Sequence, residues 1–273
     1  MDMMLVLGIL AAVFLVSLTL ISLYRDTLNI RVFNAMFVIV DVIFYFVWNL
    51  GMHEQGWLKD GFETLGNISP MIFTVIPLTC FMNEKIKQYA YSAIAFLWTG
   101  LFLALFISPE YAYLFDYRTE ASLLYTGEAL CHMWASLFGI YLILTGQVKL
   151  NFQSWGRAIV FMYSVIGFGV FLNFFFHKKN FGMDPYGDYS IYFLDIFGTF
   201  EATLLAYLLG VLTVLTVGLE MGYLFERMVR PKSELMPLPK LEETEKAIEV
   251  LESADYPSVD ETPFANEKIE EEK

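Results

Sequence analysis

The sequence predicts an all-α, polytopic membrane protein: a bundle of seven transmembrane helices, N-terminus out and C-terminus in, followed by a disordered acidic tail. Three observations carry this reading. Hydrophobic residues fill 57% of the 273 positions and charged residues only 17%, against about 25% charged in soluble globular domains, and mean hydropathy is +0.53. The apolar residues gather into seven runs of roughly the 20-residue length that a bilayer demands. The basic residues between those runs fall unevenly on alternate sides.

The runs lie at 4 to 24, 32 to 50, 69 to 83, 89 to 107, 122 to 146, 158 to 176 and 194 to 219. The first opens with Met1 and Asp2 and lacks the basic start and small-residue cleavage site of a signal peptide, so it reads as a helix. The third is the shortest and opens at Pro70, a residue suited to the first turn of a helix. Gly167 and Gly169 on the sixth run suit a close approach of helices. One set of loops carries Arg25, Arg31, Lys85, Lys87, Lys149, Arg157, Arg227, Arg230 and Lys232, and the other only Lys59, Arg118, Lys178 and Lys179. Positive charge stays cytoplasmic, which puts the C-terminus inside and matches a multi-pass protein of the cell membrane.

Charge separates the chain into two parts, a transmembrane domain at 1 to 230 and a tail at 231 to 273. The tail holds eight of the thirteen net negative charges. Its prolines and acids leave too little apolar surface to offset the entropy of ordering, although Leu241, Ala247, Ile248 and Leu251 could line one side of a short helix. A solvated tail and a tail that binds a cytoplasmic partner are both open. Nucleic acid is excluded as a partner, because nothing here could neutralise phosphates in number. Cys80 and Cys131 both lie in apolar stretches and form neither a disulfide framework nor a zinc pair. No third ligand stands at metal spacing from His53 and His177, and the seventh run has no Lys for a retinal Schiff base. No metal or cofactor is therefore expected.

An ionisable side chain at mid-membrane costs roughly 2.5 to 3.5 kcal/mol, so each one needs a partner or a wet cavity. Those present are Asp41, Glu128, His132, Asp195 and Glu201, with Asn34, Asn49, Thr74, Thr79, Cys80 and Asn173 as polar company. Counting about 1.5 Å per residue from the ends of the runs places Asp41, Thr79, Cys80 and His132 near one level, roughly 15 Å deep. Glu128 is one turn above His132 on the same helix face. Asp195 falls at the outer boundary and Glu201 about two turns deeper, and with Asn173 they are candidate substrate contacts. A neutral His at such depth can take a proton from a hydroxyl or thiol while a carboxylate fixes its tautomer. Thr79 or Cys80 could supply that hydroxyl or thiol. The competing reading is an interhelical hydrogen-bond layer without chemistry. Asn34, Asp41 and Asn49 recur at helical spacing and suit packing of the second helix.

Several segments in order resemble the YwaF family of bacterial seven-span membrane proteins. They are residues 100 to 109, reading GLFLALFISP; His132, eight residues before Ile140, Tyr141 and Leu142; Asn173; and the loop of Asp184, Pro185, Tyr186 and Gly187 followed by Tyr189 and Tyr192. The match runs over about residues 69 to 218. That family is related to a eukaryotic seven-span phospholipid acyltransferase and distantly to the androgen-induced membrane hydrolases. The resemblance implies that His132 is the functional His and that membrane lipids are the substrates. It brings no nucleophile: the acyltransferase has Pro-Cys-His where this chain has Pro70, Met71 and Ile72, and a thioether cannot attack an ester. The Thr used by the distant hydrolases leaves Thr74 or Thr79.

These readings converge on a lipid acyltransferase or ester hydrolase. His132 is its base, Glu128 or Asp41 orients the ring, and Thr79 or Cys80 is the nucleophile. The alternative is a non-enzymatic protein, either a proton- or cation-coupled carrier or a lipid-binding scaffold.

Overall fold

The computed structural model of the chain describes residues 3 to 54, 68 to 107, 123 to 176 and 198 to 229. Seven helices follow the seven apolar runs: α1 (Met3–Tyr24), α2 (Ile30–Glu54), α3 (Ile68–Leu78), α4 (Glu84–Ile107), α5 (Leu123–Leu144), α6 (Phe152–Phe176) and α7 (Phe200–Val229). The described residues contain no strand. By length and composition α1, α2, α5, α6 and α7 can each cross a membrane. Large apolar side chains such as Val16, Ile39, Phe46, Phe175 and Leu205 point outward from them, as a lipid-facing surface requires. The acidic tail, His177 and Asp195 lie outside the described residues.

Local chemistry sets the helix ends. Asn29, Asn83, Asn151 and Thr199 each accept a hydrogen bond from the backbone N–H three residues on, at 2.9 to 3.4 Å, satisfying donors that the first turn leaves open. Gly146 takes φ +71° just past α5, and Val148 then donates to the Leu142 carbonyl at 3.0 Å, a left-handed stop of the kind glycine permits. The third helix ends at Leu78, one residue after Pro77, whose missing N–H leaves the Phe73 carbonyl without its helical donor. Residues 79 to 81 close in tight i,i−3 turns. At eleven residues α3 is only about 16 Å long, half a bilayer. By contrast α7 continues ten residues past the expected end at 219, taking Glu226 and Arg227 with it.

Sixteen of the 22 residues of α5 are buried, and it packs against α1, α2, α3, α4 and α7. Lipid tails are as apolar as leucine, so the hydrophobic effect does not hold these helices together; close packing does. Glycines supply the approach. A Cβ on Gly51 would strike the Leu124 backbone, one on Gly127 the Trp48 backbone, one on Gly139 the Ile94 carbonyl, and one on Gly218 the Phe96 carbonyl. These contacts seam α5 to α2 and α4, and α4 to α7. Between the seams the Phe37 ring lies 4.7 to 5.0 Å from those of Trp134, Phe138 and Tyr141. The Trp134 indole donates to the Phe37 carbonyl at 2.8 Å. Of the two glycines expected to bring helices together on α6, Gly169 is buried, whereas Gly167 faces open space and brings no helix closer.

Adding one methyl at a seam and one outside it separates these roles. Gly218→Ala is expected to destabilise the bundle by about 1–3 kcal/mol through overpacking against a backbone that cannot yield. Gly167→Ala should be neutral or slightly stabilising, since alanine is the better helix former. Unfolding midpoints in mixed micelles check this, and equal shifts for the two variants would contradict the seam.

Candidate functional site

His132 lies in the middle of α5 and is 3% exposed. Both ring nitrogens are occupied. Nδ1 is 3.0 Å from the backbone carbonyl of Glu128, one turn earlier, and Nε2 is 3.0 Å from the Ser69 hydroxyl at the start of α3. A carbonyl can only accept, so Nδ1 carries the proton. In the neutral ring Nε2 is then the acceptor, and Ser69 donates to it. The Phe73 ring meets the imidazole edge-on at 5.1 Å and closes one side. Three parts stand in line: a hydroxyl, a base within hydrogen-bond reach of it, and a group that orients the base. This is the general geometry of an activated nucleophile.

Ser69 is half-buried and borders a cavity of about 380 Å³ between α3, α4 and α7. Leu97, Gly100, Leu101 and Val214 form one end, and Thr203 and Tyr207 add hydroxyls at the other. Helix register gives the heights. Asn34 bonds both Tyr91, near the start of α4, and Gln147, just past α5, so α4 and α5 run antiparallel. Gly139 meets Ile94 and Trp98; two turns back along α5 to His132 therefore correspond to two turns on along α4, near Ala104. Gly218 against Phe96 and Gly100 against Val214 set α7 antiparallel to α4, which brings Gly210 opposite Ala104. The Ser69–His132 pair thus sits near the middle of the cavity, with roughly a helical turn of space to each side.

The candidates read from the sequence are only partly gathered here. Glu128 meets the ring through its backbone carbonyl. Asp41 is fully buried, and neither of its carboxyl oxygens has a hydrogen-bond partner among the described residues. It lies within electrostatic range of Cys131, as does Glu128, but it is not on the imidazole. Thr79 is ten residues beyond Ser69, roughly 15 Å along α3, with its hydroxyl on the Ile76 carbonyl at 2.6 Å. Cys80 follows it as an exposed free thiol. Depth counting set these two level with His132 by starting α3 at the membrane boundary, whereas α3 begins at the level of His132 itself. Thr74 donates to the Pro70 carbonyl at 2.9 Å. Asn173 is buried in α6, and Glu201 is exposed in the first turn of α7.

Ser69 is the residue that sequence reasoning passed over, because it stands at the very edge of the third run, beside Pro70. The available signal was Pro77: a proline eight residues after Ser69 interrupts the run, so depths counted along an unbroken span do not hold for it. No family model, no curated protein and no solved structure matches this chain.

The tautomer is directly measurable, since the chain has only three histidines. In ¹⁵N-histidine-labelled protein, His132 should show a protonated Nδ1 and a bare Nε2. Ser69→Ala should move the Nε2 resonance and leave Nδ1 nearly in place. A His132 ring protonated at Nε2 alone would overturn the assignment.

Proposed function

We propose that this is a seven-span protein of the cell membrane, N-terminus out, that cleaves or transfers an acyl ester of a membrane lipid, with Ser69 as nucleophile and His132 as base. The single observation that carries the reading is the 3.0 Å contact between the Ser69 hydroxyl and His132 Nε2, made at the wall of a largely apolar cavity. Ser69 here takes the role first sought in Thr79 and Cys80. The resemblance to the YwaF family agrees on His132 and on lipid acyl groups.

The chemistry follows from the residues in place. Ser69 Oγ attacks the ester carbonyl carbon as its proton passes to Nε2. The Glu128 carbonyl holds the Nδ1 proton and stabilises the imidazolium that forms. Collapse of the tetrahedral adduct breaks the bond to the alcohol, which leaves with the proton from Nε2. The acyl group stays on Ser69 until water or a second lipid alcohol, deprotonated by the same nitrogen, attacks it and restores the hydroxyl.

In lipid nanodiscs, wild-type protein should bind a fluorophosphonate covalently at Ser69 and release fatty acid or exchange acyl chains. His132→Ala and Ser69→Ala should each lose activity about 10²- to 10⁴-fold, the usual worth of a positioned base or its partner, whereas Thr79→Ala and Cys80→Ala should keep it. Full activity in Ser69→Ala would remove the proposal.

A second reading is favoured by one observation, the buried and unpartnered carboxyl of Asp41. In a carrier that group would take up and release a proton or cation. Ion-driven uptake into vesicles that is lost in Asp41→Asn and kept in Ser69→Ala would select it.

A further inference from the structure

We infer that the cavity beside Ser69 seats one alkyl chain of a membrane lipid along the α4–α7 seam, and that Gly210 is the residue that holds the space open for it. The inference deepens the acyl-transfer reading, on which its chemistry rests, by naming what lies beside the nucleophile and what selects it. Its physical basis is separate.

Size comes first. With a methylene taken as about the bulk of a water molecule, ~30 Å³, a cavity of about 380 Å³ takes roughly a dozen chain carbons. That is too small for a whole phospholipid and large for an isolated head group. Polarity gives the direction: the end formed by Leu97, Gly100, Leu101 and Val214 has no polar side chain, and the other end offers the hydroxyls of Thr203 and Tyr207. An ester at Ser69 would lay its alkyl tail in the first and turn its alcohol toward the second. Surroundings settle the class, because at the depth of His132 the abundant molecules are lipid chains. A dry apolar pocket with a few placed polar groups is the usual form of such a site.

Gly210 stands opposite Ala104, at the height of Ser69. A Cβ there meets no atom of another residue within 4 Å, unlike Gly100, whose Cβ would press on Val214. Within a helix glycine costs roughly 1 kcal/mol against alanine. At Gly51, Gly127, Gly139 and Gly218 that cost is offset by a neighbouring backbone. Gly210 is exposed, and the open space beside it is the cavity it lines. A side chain at this one position would fill the pocket without disturbing a helix contact, which makes Gly210 a specificity-determining residue.

The test uses full-length protein in nanodiscs containing a trace of phosphatidylcholine whose palmitoyl chain ends in a diazirine. On irradiation, wild type should carry the label on α4 and α7 at the cavity wall. Gly210→Leu should lower that labelling roughly tenfold, with Gly210→Ala intermediate, and Val214→Phe should give the same loss by filling the apolar end. Gly167→Leu, on an open face of α6, should label as wild type does. Unfolding midpoints establish that each variant is folded. Label elsewhere in wild type, or undiminished labelling in both Gly210→Leu and Val214→Phe, would overturn the inference. The readout needs no turnover: failed chain labelling with Ser69 still reactive toward fluorophosphonate would sink the chain site alone, and the converse would sink the acyl-transfer reading alone.

Discussion

An imidazole buried in an apolar bundle must find a partner for each of its two nitrogens, and the arrangement around His132 follows from that requirement. Unpaired polar groups cost several kcal/mol in hydrocarbon. The first partner is local: the Glu128 carbonyl, one turn back on the same helix, takes the Nδ1 proton. The second has to come from another chain segment, and α3 starts deep enough to bring Ser69 to Nε2. Ser69 stands at the first described turn of α3, and the packing of α3 on α5 brings its hydroxyl to that nitrogen.

The same economy governs the helix seams. With no hydrophobic gain between helices inside lipid, α5 is held by backbone-close contacts at Gly51, Gly127 and Gly139 and by the aromatic layer around Phe37, and Gly218 does the same for α4 and α7. A rigid α5 fixes where His132 points, and a rigid α4–α7 seam fixes the walls beside Ser69. Asp41 is the exception to the rule of paired polar groups. Full burial without a hydrogen bond is a standing cost, and the structure retains it on the face of α2 nearest Cys131.

Much of the architecture was legible in the sequence because hydrophobic run length is a strong signal in membrane proteins. All seven helices stand where apolar runs were read, and His132 lies buried in the middle of one of them. Ends were less legible: α7 outlasts its apolar run because a helix can leave lipid while its backbone bonds continue, and α3 stops early at Pro77. The site was legible by half. His132 announced itself as an ionisable group in hydrocarbon, but its partner could not be found by counting inward from run ends, since that count assumes every helix starts at the surface. Ser69, beside Pro70 at the edge of a run, looked like loop. Nor could a linear reading show that the Glu128 contribution comes from its carbonyl.

One consequence concerns the order in which the bundle is made. The dyad is complete once α5 has joined α3, that is, with 144 residues of the chain in place. One long wall of the cavity belongs to α7, the last of the described helices. Where α7 ends, its Val229 carbonyl accepts from the Arg25 guanidinium at 3.3 Å, a clasp between the first hairpin and the last helix that cannot form earlier. During synthesis, then, both members of the dyad are in the chain before the helix that completes the slot beside them.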